Sequence, residues 1–154
     1  MTEAARRPRL KVSQEPDRYR FSTHVSVRFR DIDVLGHVNN AVYFSYMEQA
    51  RVRYAQEVGI GPAELGNFQF ILAEESCRFV RPVRHGEDLL VRVRATEVRR
   101  SSFVLEYLIE VEEPGELAAL GRTVQVWYDY QAQKAVPVPY AARDRLAGYE
   151  GLED

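Results

Sequence analysis

Residues 22–30 set Val25, Val27 and Phe29 against Ser26, Arg28 and Arg30, the period-two alternation of a strand with one face in a core. From position 40 the period changes. Tyr43, Tyr46, Met47, Ala50, Tyr54 and Val58 recur at intervals of three and four, which places one apolar stripe on a helix ending near Val58. Asn39 or Asn40 suits the start of that helix, Gly59 the left-handed position past its end, and Pro62 bars continuation. The remaining chain reads mainly as strands, predicted at 69–82, 87–99, 102–112 and 117–130. Turn signals separate the last four at Arg84-His85-Gly86, Arg100-Ser101 and Glu113-Pro114-Gly115, so the strands are expected to form a meander of antiparallel neighbours. A long sheet with a single substantial helix must curl around it to cover the apolar stripe. Residues 137–148 predict a short terminal helix.

A chain of 154 residues, 45% apolar, is long enough for one ordinary core and short for two. The expected organisation is a polar leader over 1–20, one domain over 21–149 and a frayed end over 150–154. With no apolar run of bilayer length and no signal-peptide pattern in the first twenty residues, the sequence predicts a cytoplasmic protein without membrane insertion. Cys77 is the only cysteine, and His24, His37 and His85 lie far apart, so no metal site is expected. The net charge of −2 argues against a nucleic-acid partner. Arg28/Arg30 and Arg92/Arg94 fall at alternate strand positions, as on the solvated face of a half-buried sheet.

Between the first strand and the helix lies RDIDVLGHVNN, unusually rich in polar, turn-forming residues. Together with the helix that follows, RDIDVLGHVNNAVYFSYMEQARVRY is similar to the signature of the 4-hydroxybenzoyl-CoA thioesterase-like group of acyl-CoA thioesterases. FVRPVRHGEDLLV is similar to that family's stretch in which a strand reaches Arg-Pro, turns at a Gly-acid pair and re-enters the sheet. The order of elements resembles the hotdog fold, an α+β architecture in which a long antiparallel β-sheet wraps around one central α-helix. The resemblance covers roughly residues 20–148.

Hydrolysis of a thioester needs a group that attacks the carbonyl carbon, or directs water onto it, and a group that holds the charge developing on oxygen. A carboxylate at a strand end supplies the first, and the unpaired N–H groups of a helix's first turn supply the second. The resemblance implies Asp33 as nucleophile or general base and the backbone N–H of Asn40 as the carbonyl-polarising donor. Gly36 lets the backbone turn and approach a ligand. His37 is a candidate to assist the base, and Asn39 and Tyr43 are candidates for substrate contact. Asp31 also suits a structural Asx turn. Glu48 is read as half of a surface pair with Arg51. Glu74 and Glu75, adjacent on a strand, must face opposite sides, with one of them inward.

The substrate implied is an acyl-CoA, so coenzyme A enters as part of the substrate and no separate cofactor is expected. Arg99, Arg100, Ser101 and Ser102 resemble the basic-serine turn at which family members hold the nucleotide, with Arg81 and Arg84 as further candidates for its phosphates. The resemblance also implies a homodimer or homotetramer, to which Trp127, Tyr128 and Tyr130 are candidate contributors, either there or in the core. Hydrolysis of acyl carrier protein thioesters, a non-catalytic acyl-thioester-binding module and a hotdog hydratase are the competing readings. Asp33 beside the helix start argues against the binder, which would bear its desolvation without benefit. Pocket or core placement of Met47, Phe70 and Leu72 stays open at this point.

Overall fold

The computed structural model describes residues 10–61 and 69–153, so Pro62 and the first nine residues of the leader lie outside the described residues. Strand β1 spans Phe21–Ser26, helix α1 Val42–Val58, β2 Gln69–Phe79, β3 Asp88–Val98, β4 Ser102–Val111, β5 Glu116–Asp129, the two-residue β6 Lys134–Ala135, and α2 Tyr140–Glu150. The sheet curls around α1, whose buried residues include Tyr43, Tyr46, Met47, Ala50, Tyr54 and Val58. This is the hotdog architecture. Gly59 closes α1 in the left-handed conformation at φ 84°, where a side chain would be strained.

Two expectations about the strands are corrected. The first strand stops at Ser26 rather than running to Arg30, because Phe29–Asp31 wind into a 3₁₀ turn in which the Asp31 carboxylate accepts the Arg28 backbone N–H at 2.9 Å. The four later strands are not one meander. The sheet order is β1-β3-β4-β5-β2, so only β3, β4 and β5 follow as neighbours, while β2 pairs with β5 at the far edge. The chain from Val80 to Glu87 must therefore cross from one side of the sheet to the other, and it passes the segment between β1 and α1 on the way. Val38 N–H donates to Val83 O at 2.8 Å, and His37 bridges Arg84.

The outer face of the sheet is less solvated than its arginines suggested. Arg92 pairs with Glu110 at 2.6 Å and Arg94 with Glu106 at 3.2 Å across to β4. Leu10, Val12 and Tyr19 of the leader pack there on Leu108, Leu117 and Leu120, with the Arg94 guanidinium 5.2 Å from the Tyr19 ring centre. Trp127 is fully buried in the core, against Phe103 and Phe70. Tyr130 is half exposed and stacks edge-on to Tyr128. At the other end of the chain, the N–H groups of Gly151 and Leu152 both donate to Ala147 O, that of Leu152 at 3.0 Å, and close α2.

Candidate active site

The polar turn between β1 and α1 folds through backbone bonds that its own residues supply. Asp33 N–H donates to His37 O at 2.8 Å, and Gly36 N–H donates to Asp33 O at 3.0 Å. Gly36 sits at φ 83°, the reason glycine is needed at this position. Asn39 N–H donates to Asp31 O, and the Asn39 side-chain oxygen accepts Ala41 N–H at 2.9 Å, leading the chain into α1. The helix-cap residue is Ala41, with no side-chain cap of its own, so Asn39 acts two residues before the N-cap position.

The two acids of this turn have opposite environments. Asp31 is 2% exposed and accepts from the Tyr46 hydroxyl at 2.8 Å, from Arg28 N–H at 2.9 Å and from the Arg28 guanidinium at 3.3 Å. Burial pushes its pKa up, but the hydrogen bonds from Arg28 and Tyr46 outweigh that and hold it below the usual carboxylate range. Asp33 is half-buried. Its Oδ1 accepts Leu35 N–H at 2.9 Å and His37 N–H at 3.4 Å, while Oδ2 has no partner among the described residues. A carboxylate anchored through one oxygen keeps its other oxygen for a ligand.

Asp33, His37, Asn39, Asn40 and Tyr43 line one wall of a cleft of about 520 Å³. Phe79, Val80, Arg81 and Pro82 form the facing wall. The backbone N–H groups of Val38, Asn39, Ala41, Val42 and Tyr43 all find acceptors, whereas that of Asn40 has none among the described residues. One unpaired amide therefore stands at the start of the helix, where the helix dipole favours negative charge. Tyr43 closes the inner end of the cleft against Phe79, ring centres 5.0 Å apart and edge to face. Burial, then the neighbouring Cys77, pushes the Tyr43 hydroxyl up to about 12, so it stays protonated near neutral pH.

The structure thus gathers Asp33, His37, Asn39, Asn40 and Tyr43 around one space, with Gly36 in the turn that shapes it. The Arg99–Ser102 turn is elsewhere. It lies at the end of β3 away from the cleft, and the 11 residues of that strand span about 35 Å. There Arg99 pairs with Glu97 at 3.0 Å, and Arg143 of α2 donates to Arg99 O at 2.7 Å. Within one chain these residues do not reach the cleft. Arg81 does line it, but its guanidinium is already engaged by Glu87 at 2.9 Å and Glu116 at 2.7 Å. Glu48 forms no pair with Arg51. Arg51 turns inward instead, 7% exposed, and donates to the Tyr107 hydroxyl at 3.2 Å.

The facing wall is what a reading of the sequence understated. Phe79 and Val80 carry no chemistry, and only the crossing of β2 to β3 puts them opposite Asp33. Their signal was an apolar pair at a strand end directly before Arg81-Pro82. Among the described residues no group of three or more His, Cys, Asp or Glu side chains is placed to hold a metal ion.

Comparisons with known proteins identify the family and the fold. A profile of the thioesterase-like superfamily matches residues 27–146. A Thermus thermophilus thioesterase solved with coenzyme A and zinc superposes with a TM-score of 0.74 at 42% identity, covering 84% of this chain and 93% of that one. The uncharacterised Bacillus subtilis protein YsmA is 34% identical over 77% of this chain and 79% of its own length. The Escherichia coli long-chain acyl-CoA thioesterase FadM is 26% identical over 80% of this chain and 95% of its own length. With the superfamily profile spanning both the polar turn and the sheet, and a fold shared with a coenzyme A-bound thioesterase, the chain belongs to the thioesterase-like superfamily.

Proposed function

We propose that the protein hydrolyses an acyl-CoA thioester to a free carboxylic acid and coenzyme A. The observation that carries this reading is the pairing, in one cleft, of a carboxylate with an unpartnered oxygen and a helix-start amide with an unpartnered N–H, Asp33 Oδ2 and Asn40 N. The thioester carbonyl oxygen accepts from Asn40 N–H, which strengthens as negative charge gathers there in the transition state. Asp33 acts on the carbonyl carbon, either directly as nucleophile or as the base that deprotonates an attacking water, and the thiol of coenzyme A departs. His37 shapes the turn through its backbone, holding Asp33 at both N–H and Oδ1.

This chemistry uses no metal and no cofactor beyond the coenzyme A of the substrate, and the reading places it in the cytoplasm. No helix among the described residues is long and apolar enough to cross a membrane. The 11-residue β2 forms one edge of the sheet, which favours association of copies as a dimer or tetramer.

The test is thiol release from short, long and aromatic acyl-CoAs by the wild type and by Asp33→Asn, with folding and oligomeric state checked in both. Release by the wild type that collapses in the variant supports the reading. Absence of release from every acyl-CoA would sink it.

A further inference from the structure

The cleft ends at the Tyr43–Phe79 contact, yet the two elements that make this contact continue side by side into the core. Tyr43, Met47 and Arg51 stand at i, i+4 and i+8 on one buried stripe of α1. Phe79, Cys77 and Glu75 stand at alternate positions of β2, Phe79 packed on Tyr43, Cys77 on the core and Glu75 with its Oε1 enclosed. Four residues of helix advance about 6 Å and two residues of strand about 6.7 Å, so the two series stay nearly in step. The first rung is Tyr43 against Phe79. On the second, Met47 Sδ occupies the space a side chain would take at Gly121, the register partner of Cys77. A Cβ at Gly121 would collide with that sulfur, so a notch in β5 holds the flexible thioether.

The third rung is polar, in the middle of an otherwise apolar core. Arg51 and Glu75 come level through the Tyr107–Thr123 pair, Arg51 bonding Tyr107 and Glu75 lying beside Thr123. Burial pushes the Glu75 carboxyl up, the Arg51 charge opposes this and the Glu48 charge adds to it. Glu75 is the register partner of Thr123. Thr123 shares hydrogen bonds with the Tyr107 hydroxyl at 2.8 Å and with Gln125 Nε2. Gln125 is fully buried, and its Oε1 has no partner among the described residues, nor has Glu75 Oε1. Arg51 makes a single hydrogen bond, to Tyr107, and no ion pair within 4.0 Å among the described residues. Arg51, Thr123 and Gln125 are buried and Glu75 is half-buried with its Oε1 enclosed, so two idle acceptors and spare guanidinium donors there are costly for the fold to maintain. A hydroxyl on a bound chain donates to the one and accepts from the other.

We propose that the acyl group runs from the cleft along the seam between α1 and β2, past Met47 as a gate, and that the preferred acyl group ends in a hydroxyl received by the Arg51–Glu75–Gln125 ring. The inference rests on the thioesterase reading and specifies its substrate. From Asn40 to Arg51 is about three helical turns, roughly 16 Å, and helix side chains lean back toward the N-terminus. That path suits an acyl group of about eight to ten carbons. A plain alkyl chain of that length would leave the ring unsatisfied, and a longer one would be stopped by it.

Calorimetric titration of the full chain with two non-hydrolysable thioethers, S-decyl-CoA and S-(10-hydroxydecyl)-CoA, separates this inference from hydrolysis itself. The wild type is expected to bind the hydroxylated thioether about 10- to 100-fold more tightly, and Gln125→Leu to bring that ratio close to one. Met47→Phe, which blocks the gate, is expected to weaken both decyl compounds at least 10-fold while sparing S-ethyl-CoA. Equal binding of the two thioethers by the wild type, binding of neither, or unchanged decyl binding in Met47→Phe overturns the channel. Its failure alongside Asp33-dependent thiol release leaves hydrolysis standing. A hydroxyl preference without any thiol release would overturn hydrolysis and keep the channel.

Discussion

Asp31 and Asp33 are two residues apart on one turn and have the same side chain, yet they sit in different physical worlds. Asp31 has both oxygens engaged: Arg28 holds it from backbone and guanidinium, Tyr46 from the helix. Such a carboxylate fixes the 3₁₀ turn to α1 and has no capacity left for a substrate. Asp33 is tied down through one oxygen by two backbone N–H groups of its own turn. Position is secured while reactivity is preserved. The contrast teaches that saturation of hydrogen bonds, more than exposure alone, separates a carboxylate that builds a site from one that works in it.

The largest effect that can sharpen this contrast is on catalysis. Asp33→Asn keeps an oxygen to accept from Leu35 and His37, so its melting temperature should stay near that of the wild type. Its kcat on the best acyl-CoA should fall about 10²- to 10⁴-fold in a thiol-release assay. If activity survives in Asp33→Asn, the assignment of roles to the two acids is broken.

Asp31→Asn should do the reverse, through the fold. An amide in place of the buried carboxylate turns an N–H toward donors, at a cost of about 2–4 kcal/mol in urea unfolding. Its pH dependence follows from the same bonds. Because the folded-state pKa of Asp31 lies below its unfolded value, the stability it contributes is present above the ordinary aspartate range and is lost as pH falls through the folded value. Unfolding free energies measured from pH 6 downward should therefore converge for wild type and Asp31→Asn in acid.

Smaller effects test the frame around the two acids. Gly36→Ala forces a side chain into the left-handed region, where the added Cβ meets nothing within 4 Å, so only backbone strain of about 1–2 kcal/mol is expected by thermal melting. Tyr46→Phe removes a single donor from Asp31 and should cost about 1 kcal/mol while leaving KM unchanged. A loss of kcat in Tyr46→Phe larger than 10-fold would show that the anchoring acid is coupled to the reacting one.

Local pattern determined a good deal of this protein. The period-two runs, the stripe from Tyr43 to Val58 and the polar turn with its glycine were legible because each is set by neighbours a few residues away. The inward turn of one acid of Glu74-Glu75 followed from strand alternation in the same way, and Glu75 is the one whose carboxylate oxygen is enclosed while Glu74 stays exposed. Placement across the sheet was beyond such reasoning. Turn signals cannot reveal that β2 leaves its sequence neighbour β3 and pairs with β5, since strand order is fixed by which faces need covering, not by the connecting residues.

That one crossing decided most of the site. It set Phe79–Pro82 opposite Asp33, stitched Val83 to Val38, and separated the Arg99–Ser102 turn from the cleft by the length of β3. Helical spacing alone allowed Arg51 to pair with Glu48 on the surface, but the packing of α1 on the sheet carried it inward to Tyr107. The sequence by itself determined the elements and the chemistry available at the turn. Only the tertiary structure decided which groups face each other and which of two like carboxylates keeps an oxygen free, because burial and hydrogen-bond partners come from residues distant in the chain.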